Sequence, residues 1–287
     1  MANYRIITDS ACDLTAELIE KLNISVVPLS MMFKGESRQD SVGDDIKEVY
    51  AALREGEVAT TSAANPENWS TAIEPVLMAG EDALVLTFSS GLSTTYQSAV
   101  IAAGDLEEKY PDRKIRVVDT LCASLGQGLL VHYVCQKRDA GLSLEELATW
   151  TEENKLNLCH WFTVDDLMYL KRGGRVSAAT ALVGTVLKIK PVLHVDDEGH
   201  LISVAKARGR KASIEMMAGK MKETMLPGQN DYAMICHGDC LEDAQYLEKL
   251  LKEQLGVKEV FIGYTGAVIG SHSGPGTLAL FFLGNKR

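Results

Sequence analysis

The stretch that most constrains the fold of this 287-residue chain runs from Ala83 to Tyr110. Ala83-Leu84-Val85-Leu86 is a short unbroken apolar run of the kind a strand buried on both faces requires. Ser98 to Tyr110 has the Ala, Ile, Leu and Glu content of a helix. The hydroxyl-rich segment Thr87-Phe88-Ser89-Ser90-Gly91-Leu92-Ser93-Thr94-Thr95 is therefore the turn from a strand's carboxyl end to a helix's amino end. Ligands gather at that place in open α/β sheets. A helix amino end also offers unpaired N–H groups and partial positive charge to an anion. Gly91 lets the backbone approach closely, while Ser89, Ser90, Ser93, Thr94 and Thr95 supply hydroxyls. One Ser or Thr is enough for a helix cap. The surplus makes this turn a candidate carboxylate or anion site, with plain capping as the alternative.

The same strand-turn-helix rhythm recurs. Tyr4 to Thr8 and Ile24 to Leu29 read as strands, with Asp13 as the N-cap of a helix carrying Leu14, Leu18 and Leu22. Met31 to Ala59 is choppier, with a short helix from about Asp44 to Arg54, and suggests a small insert at about 24–65. A second hydroxyl cluster, Thr60-Thr61-Ser62, precedes a helix opened by Pro66. Ile115 to Asp119 is a strand, Ala123 to Arg138 a helix, and Ser143-Leu144-Glu145-Glu146 a capping box. The alternation predicts an α/β fold whose N-terminal part, 1–160, has a mostly parallel sheet with helices on both faces.

The pattern changes near residue 160, which marks off a C-terminal α/β domain at 161–287. There Trp161 to Val164 reads as a strand, Asp165 to Leu170 as a short helix, and Ser177 to Leu187 as a longer one. Pro191 to Val195 and Leu201 to Val204 flank Asp197-Glu198-Gly199 as a hairpin. Asp239-Cys240-Leu241-Glu242 reads as a helix start, Gly270 to Thr277 as a terminal loop, and Leu278 to Leu283 as the last strand. Lys171, Arg172 and Arg175 crowd one glycine-rich loop, and Lys206, Arg208, Arg210 and Lys211 another.

Composition narrows the function. A net charge of −10 argues against nucleic acid, whose binders carry a basic face. No apolar run reaches membrane-spanning length, so no integral membrane segment is expected. Met1 to Ile7 lacks a signal-peptide pattern and reads as a first strand, which leaves the cytoplasm as the expected location. The six cysteines are scattered, as reduced thiols are. Cys236-His237-Gly238-Asp239-Cys240 has no evident partners for a four-ligand metal site, so no metal is expected.

Several motifs in a shared order resemble the DegV family of bacterial fatty-acid-binding proteins, whose members serve as the acyl-carrying subunit of a fatty acid kinase. They are Thr8-Asp9-Ser10 with Asp13-Leu14, Thr61-Ser62, Ser89 to Ser93 with Thr95 to Ala99, and Val118-Asp119-Thr120. Leu170 with Gly173 to Ser177, Leu187 to Pro191, and His272 with Gly274 to Thr277 complete the set. The chain departs from the family's usual pattern at Thr94, where Gly is common, at Ala63-Ala64-Asn65 and at Cys12.

The resemblance implies a long-chain fatty acid in a buried tunnel, its carboxylate meeting Thr61, with Ser62 adjacent, and Ser90. The Gly91 N–H would be a further donor, Ser93 belongs to the same turn, and His272 would join the hydrogen-bond network. By the same resemblance Arg175 and Arg208 face a separate ATP-dependent kinase subunit. The chain would be a non-catalytic carrier, with the fatty acid as ligand and no cofactor.

Two other chemistries compete. A serine hydrolase could use Ser90, His272 and Asp119, although no Gly-x-Ser-x-Gly elbow surrounds any serine. A nucleotide enzyme could use the strand-end residues Asp9, Asp13 and Asp119, although no Gly-x-Gly-x-x-Gly follows Ile7 and no P-loop is present. His132, His160, His194, His200 and His237 read as structural or surface residues.

Overall fold

The structure is a computed structural model that describes residues 3–40, 42–43, 45–177 and 189–287. The first elements are β1 (Tyr4–Asp9), α1 (Ala16–Leu22), β2 (Ser25–Val27), β3 (Ser30–Phe33), β4 (Glu36–Gln39), α2 (Ile46–Arg54) and β5 (Thr60–Ser62). Then come α3 (Pro66–Met78), β6 (Asp82–Thr87), α4 (Thr95–Lys109), β7 (Ile115–Asp119), α5 (Leu125–Asp139) and α6 (Leu144–Asn154). The remainder comprises β8 (Leu158–Thr163), α7 (Met168–Arg172), β9 (Ile189–Val195), β10 (Leu201–Arg208) and α8 (Arg210–Thr224). It ends with β11 (Tyr232–His237), α9 (Leu241–Leu255), β12 (Glu259–Tyr264), α10 (Ala267–Ser273) and β13 (Leu278–Leu283). The helix expected from Ser177 to Leu187 lies, past Ser177, outside the described residues.

The first sheet has the order β2-β1-β6-β7 and is parallel throughout. Successive strand side chains point to opposite faces, and here both faces are covered. Ile6, Leu84, Leu86 and Val118 join one core with Leu125, Leu129, Val134 and Leu147 of α5 and α6. Ile7, Ala83, Val85 and Ile115 join another with Trp69, Ile73 and Leu77 of α3 and Ala99, Ala102 and Leu106 of α4. This double burial is why the strands read as continuous apolar runs.

A three-stranded antiparallel sheet, β4-β3-β5, forms the insert. Thr60–Ser62, read from the sequence as a hydroxyl cluster ahead of a helix, is strand β5, paired with β3, and the helix opens at Pro66 as expected. Helix α3 is capped by Asn65, whose side chain accepts the Asn68 N–H in a capping box, with Pro66 at its first turn.

The second sheet has the order β10-β9-β8-β13-β11-β12 and is antiparallel except for the β11–β12 pair. One face buries Trp161, Val192, Ile235, Leu280 and Phe282 under Ile214 and Met217 of α8 and Leu247 and Leu251 of α9. The other face, with Phe162, Leu193, Met234 and Phe281, shares its core with α5. Helix α5 thus lies between the two sheets, and its first two turns, Leu125 to Val131, are buried all round. Close packing there uses Gly128, where a Cβ would stand 2.7 Å from the Cys12 carbonyl oxygen.

One expected cap is replaced. Thr15, not Asp13, caps α1, accepting the Leu18 N–H. Asp13 instead ends the 3-10 turn Ser10–Cys12 with φ 52°, turning its carboxylate into the protein. At α9, which starts where the sequence reading put it, the cap position is Cys240 with no side-chain cap hydrogen bond, and the carboxylate of Asp239 before it pairs with Arg54. The capping box at Ser143 and Glu146 forms as expected.

Candidate functional site

A cavity of about 470 Å³ lies where the carboxyl ends of β6 and β7 meet the α5-side face of the second sheet. That size falls within the usual range for small-molecule sites, roughly 300–1,000 Å³. Its walls are mostly apolar. The first sheet's loops give Leu29, Phe88, Leu92 and Ala123, and the second sheet gives Phe162, Val195, Leu201, Ala279 and Phe281. Helices α7 and α10 add Leu170, Val268 and Ile269.

The polar lining includes most of the residues singled out from the sequence: Thr61, Ser62, Ser90, Ser93, Arg175 and His272. Thr61 Oγ1 and His272 Nε2 are 2.7 Å apart, joining β5 of the insert to the last turn of α10. His272 therefore sits on a helix and not in a terminal loop, although the residues around it are glycines and serines. Burial, with the nearby Arg175 charge adding to it, pushes the His272 pKa down from 6.5 to about 4. The ring is neutral at neutral pH, so it contributes hydrogen bonding and no charge.

Arg175 supplies the positive charge. Its Nε and Nη2 donate to the Leu92 carbonyl at 3.1 and 2.9 Å, and Nη1 donates to the Gly173 carbonyl. Ser93 Oγ contacts Thr95 Oγ1 at 2.8 Å and accepts the Thr95 N–H. Ser90 donates its N–H to Asp119 Oδ1 at 3.1 Å.

Two expectations change here. The Gly91 N–H, expected as a donor to the ligand, is bonded to Ser89 Oγ at 3.2 Å. Gly91 instead packs beneath the β9–β10 hairpin, where a Cβ would stand 2.8 Å from the Glu198 carbonyl oxygen and 2.9 Å from that of Gly199. Ser89 Oγ donates to the Gly199 carbonyl, so this turn is fastened to the hairpin. The Ser90, His272 and Asp119 triad is also not assembled. Asp119 Oδ1 accepts the backbone N–H groups of Ser90 and Leu121, and His272 Nε2 is engaged by Thr61. A working triad needs the carboxylate on the histidine and the histidine on the serine.

Two of the strand-end aspartates, Asp9 and Asp13, and with them Asp40 after β4, are engaged by hydrogen bonds from neighbouring segments. Asp9 Oδ2 accepts the Phe88 N–H at 2.7 Å, Asp13 Oδ2 accepts from the Ser124 hydroxyl, and Asp40 Oδ1 accepts the Val268 N–H at 2.9 Å. Phe88, Ser124 and Val268 all line the cavity. Three buried carboxylates thus hold three cavity-lining segments. Burial raises their pKa values, Asp9 to about 7, Asp40 to about 6, and Asp13 well above the ordinary range. Among the described residues no cluster of His, Cys, Asp and Glu could hold a metal ion.

His160 was not singled out from the sequence as a site residue, yet it lines the cavity. Its Nδ1 donates to the Leu158 carbonyl at 3.0 Å, and its Nε2 accepts the Ala123 N–H at 3.3 Å. Burial holds its pKa well below 6.5. Both partners are main-chain groups, so no residue pattern marks them. Arg208 is exposed at the end of β10, and Arg210 is paired with Asp243 at 2.8 Å. No helix among the described residues is long and apolar enough to cross a membrane.

Known proteins share both the sequence and this architecture. Residues 3–285 match the sequence model of the DegV family. A DegV domain-containing protein of Clostridium perfringens is 44% identical over 289 residues, which span 100% of this chain and 99% of that one. A solved DegV family protein of Thermus thermophilus, described by its fatty acid binding, is 33% identical with a TM-score of 0.87. The match covers 98% of this chain and 99% of that one. A stearic-acid-binding protein of Eubacterium ventriosum is 26% identical with a TM-score of 0.83, covering 97% and 98% of the two chains. With a matching family model across nearly its whole length and a full-length relative in the same group, this chain belongs to the DegV family.

Proposed function

We propose that this protein binds a long-chain fatty acid in the cavity and presents its carboxylate to a separate ATP-dependent kinase subunit, which forms the acyl phosphate. The observation that carries the reading is an apolar cavity whose wall holds a neutral Thr61–His272 pair beside the Arg175 cation. Each buried CH₂ of an acyl chain contributes about 0.8 kcal/mol, so a long chain binds tightly with one polar contact point. Thr61, Ser90, Ser93 and His272, with Ser62 beside them, offer a carboxylate hydrogen bonds without a buried lysine. The fatty acids named for solved relatives support the same ligand class.

In this reading the protein is a carrier and not itself a catalyst, and Arg175 and Arg208 serve the kinase side. A fluorescent fatty acid titration tests the head-group site. Thr61→Ala and Ser90→Ala each remove a hydrogen bond to a charged group and should weaken binding by about 1.5–3 kcal/mol without unfolding the protein. Wild-type affinity in both variants would count against the site.

A further inference from the structure

Thr61, Arg175 and His272 line the acyl cavity and also line a second pocket of about 230 Å³. The three side chains are the partition between the two spaces. The second pocket's other walls are apolar on one side, with Leu53, Val58 and Ala59, and polar on the other, with Tyr169, Arg172 and Ser271, and Glu57 is the one carboxylate among its described lining residues. Gly173 gives the partition its thinness, since a Cβ there would stand 2.1 Å from His272 Nδ1.

The two guanidinium groups on this pocket are not neutralised. Arg175 donates to the carbonyls of Leu92 and Gly173. Arg172 is exposed and lies 4.8 Å from the Tyr169 ring. Among the described residues neither is in an ion pair. The neutral His272 between the spaces leaves the arginines as the local source of positive charge.

We infer that the second pocket is an anion site that receives the phosphoryl group of an acyl phosphate, with Arg172 and Arg175 as its cations. The inference rests on the proposal that the fatty acid carboxylate lies at Thr61 and His272. On transfer, a carboxylate oxygen attacks the terminal phosphorus of a nucleoside triphosphate held by the partner. An O–P bond forms, the bond from that phosphorus to the bridging oxygen breaks, and the nucleoside diphosphate leaves with the electron pair. The total charge is unchanged, but the acyl product carries one more negative charge than the carboxylate it replaces. An apolar cavity cannot accommodate the added charged oxygens. The adjoining space on the far side of the partition carries two guanidinium charges that no carboxylate neutralises among the described residues; Arg172 can offer phosphate a two-point contact, and Arg175 the N–H groups not already given to the Leu92 and Gly173 carbonyls.

A long-chain β-ketophosphonate, in which CH₂ replaces the bridging oxygen of the acyl phosphate, tests this. It is titrated against delipidated protein beside palmitic acid. Arg172→Gln should weaken phosphonate binding about tenfold, the loss of one charge-assisted contact, and leave palmitate binding unchanged. Arg172→Lys should recover part of the loss, because it keeps the charge without the fork. Glu57→Gln should strengthen phosphonate binding alone. Equal affinity of wild type and Arg172→Gln for the phosphonate would overturn the inference, as would an equal loss for both ligands. Palmitate binding without phosphonate binding by the wild type would defeat this inference alone, and binding of neither would defeat the fatty acid reading with it.

Discussion

Thr61 and His272 are 211 positions apart in the chain and 2.7 Å apart in the fold. One belongs to a three-residue strand of the insert and the other to the last turn of a short helix from the opposite end of the sequence. The contact depends on how the insert meets α10, and both sides of that meeting are braced. Asp40, which follows β4, accepts the Val268 N–H of α10, and Tyr50 of α2 donates to the Thr265 carbonyl just before it.

The neutral state of His272 is a consequence of burial first and of Arg175 second. Arg175→Gln should therefore move the imidazole titration upward from about 4, while burial keeps it below the ordinary 6.5. The titration is read from the His272 ring signals by NMR over pH 3 to 8. A midpoint unmoved by the substitution would show that the guanidinium does not act on the ring.

Asp40 should make stability fall as pH rises. Its pKa is about 6 in the folded protein against an ordinary 3.8. Below about pH 4 the group is protonated in both the folded and unfolded chains. Between about 4 and 6 only the unfolded chain has ionised, so each rise in pH favours unfolding, and above about 6 the loss is constant. Asp40→Asn removes this dependence. Between pH 4 and pH 7 the stability difference between the two proteins should shift by on the order of 3 kcal/mol in the variant's favour, at about 1.4 kcal/mol per pH unit. Urea unfolding at the two pH values measures it. A difference independent of pH would contradict an acid held protonated at this contact.

Gly128→Ala should destabilise the fold by about 1–3 kcal/mol through overpacking. The added Cβ would meet the Cys12 carbonyl oxygen, and backbone cannot swing aside as a side chain can. A lower urea midpoint at an unchanged slope is the expected result. An unchanged midpoint would mean that α5 can shift between the sheets.

Much of this arrangement is legible from residue patterns, and the remainder has physical reasons for being hidden. The turn at Ser90 is visible because β6 is a buried apolar run and α4 a regular helix, so the segment between them has one place to go. Strand β5 is invisible because Thr60, Thr61 and Ser62 have no apolar member, and their extended state comes from pairing with β3. The helix carrying His272 is hidden by Gly270, Ser271, Ser273 and Gly274, poor helix formers stabilised here by tertiary contacts. Asp13 looks like a cap because aspartate usually is one at a helix start. Its actual partner, Ser124, lies 111 positions away. Gly91 looks like a ligand donor until the hairpin above it is known.

The proposed kinase-facing role of Arg208 gives a separable outcome. Arg208 is exposed and away from the cavity lining, so Arg208→Ala should leave fatty acid affinity unchanged. In a reconstituted pair with the kinase subunit it should reduce acyl-phosphate formation, and added salt should weaken docking. Phosphorylation at the wild-type rate would remove Arg208 from the docking surface.

Mass spectrometry of the lipid extracted from purified protein tests the fatty acid reading most directly. The account predicts a long-chain fatty acid in the extract, in near one-to-one ratio with the chain, and its depletion in the Thr61→Ala protein. An extract free of fatty acid, together with no binding of added palmitate by the wild type, would contradict it.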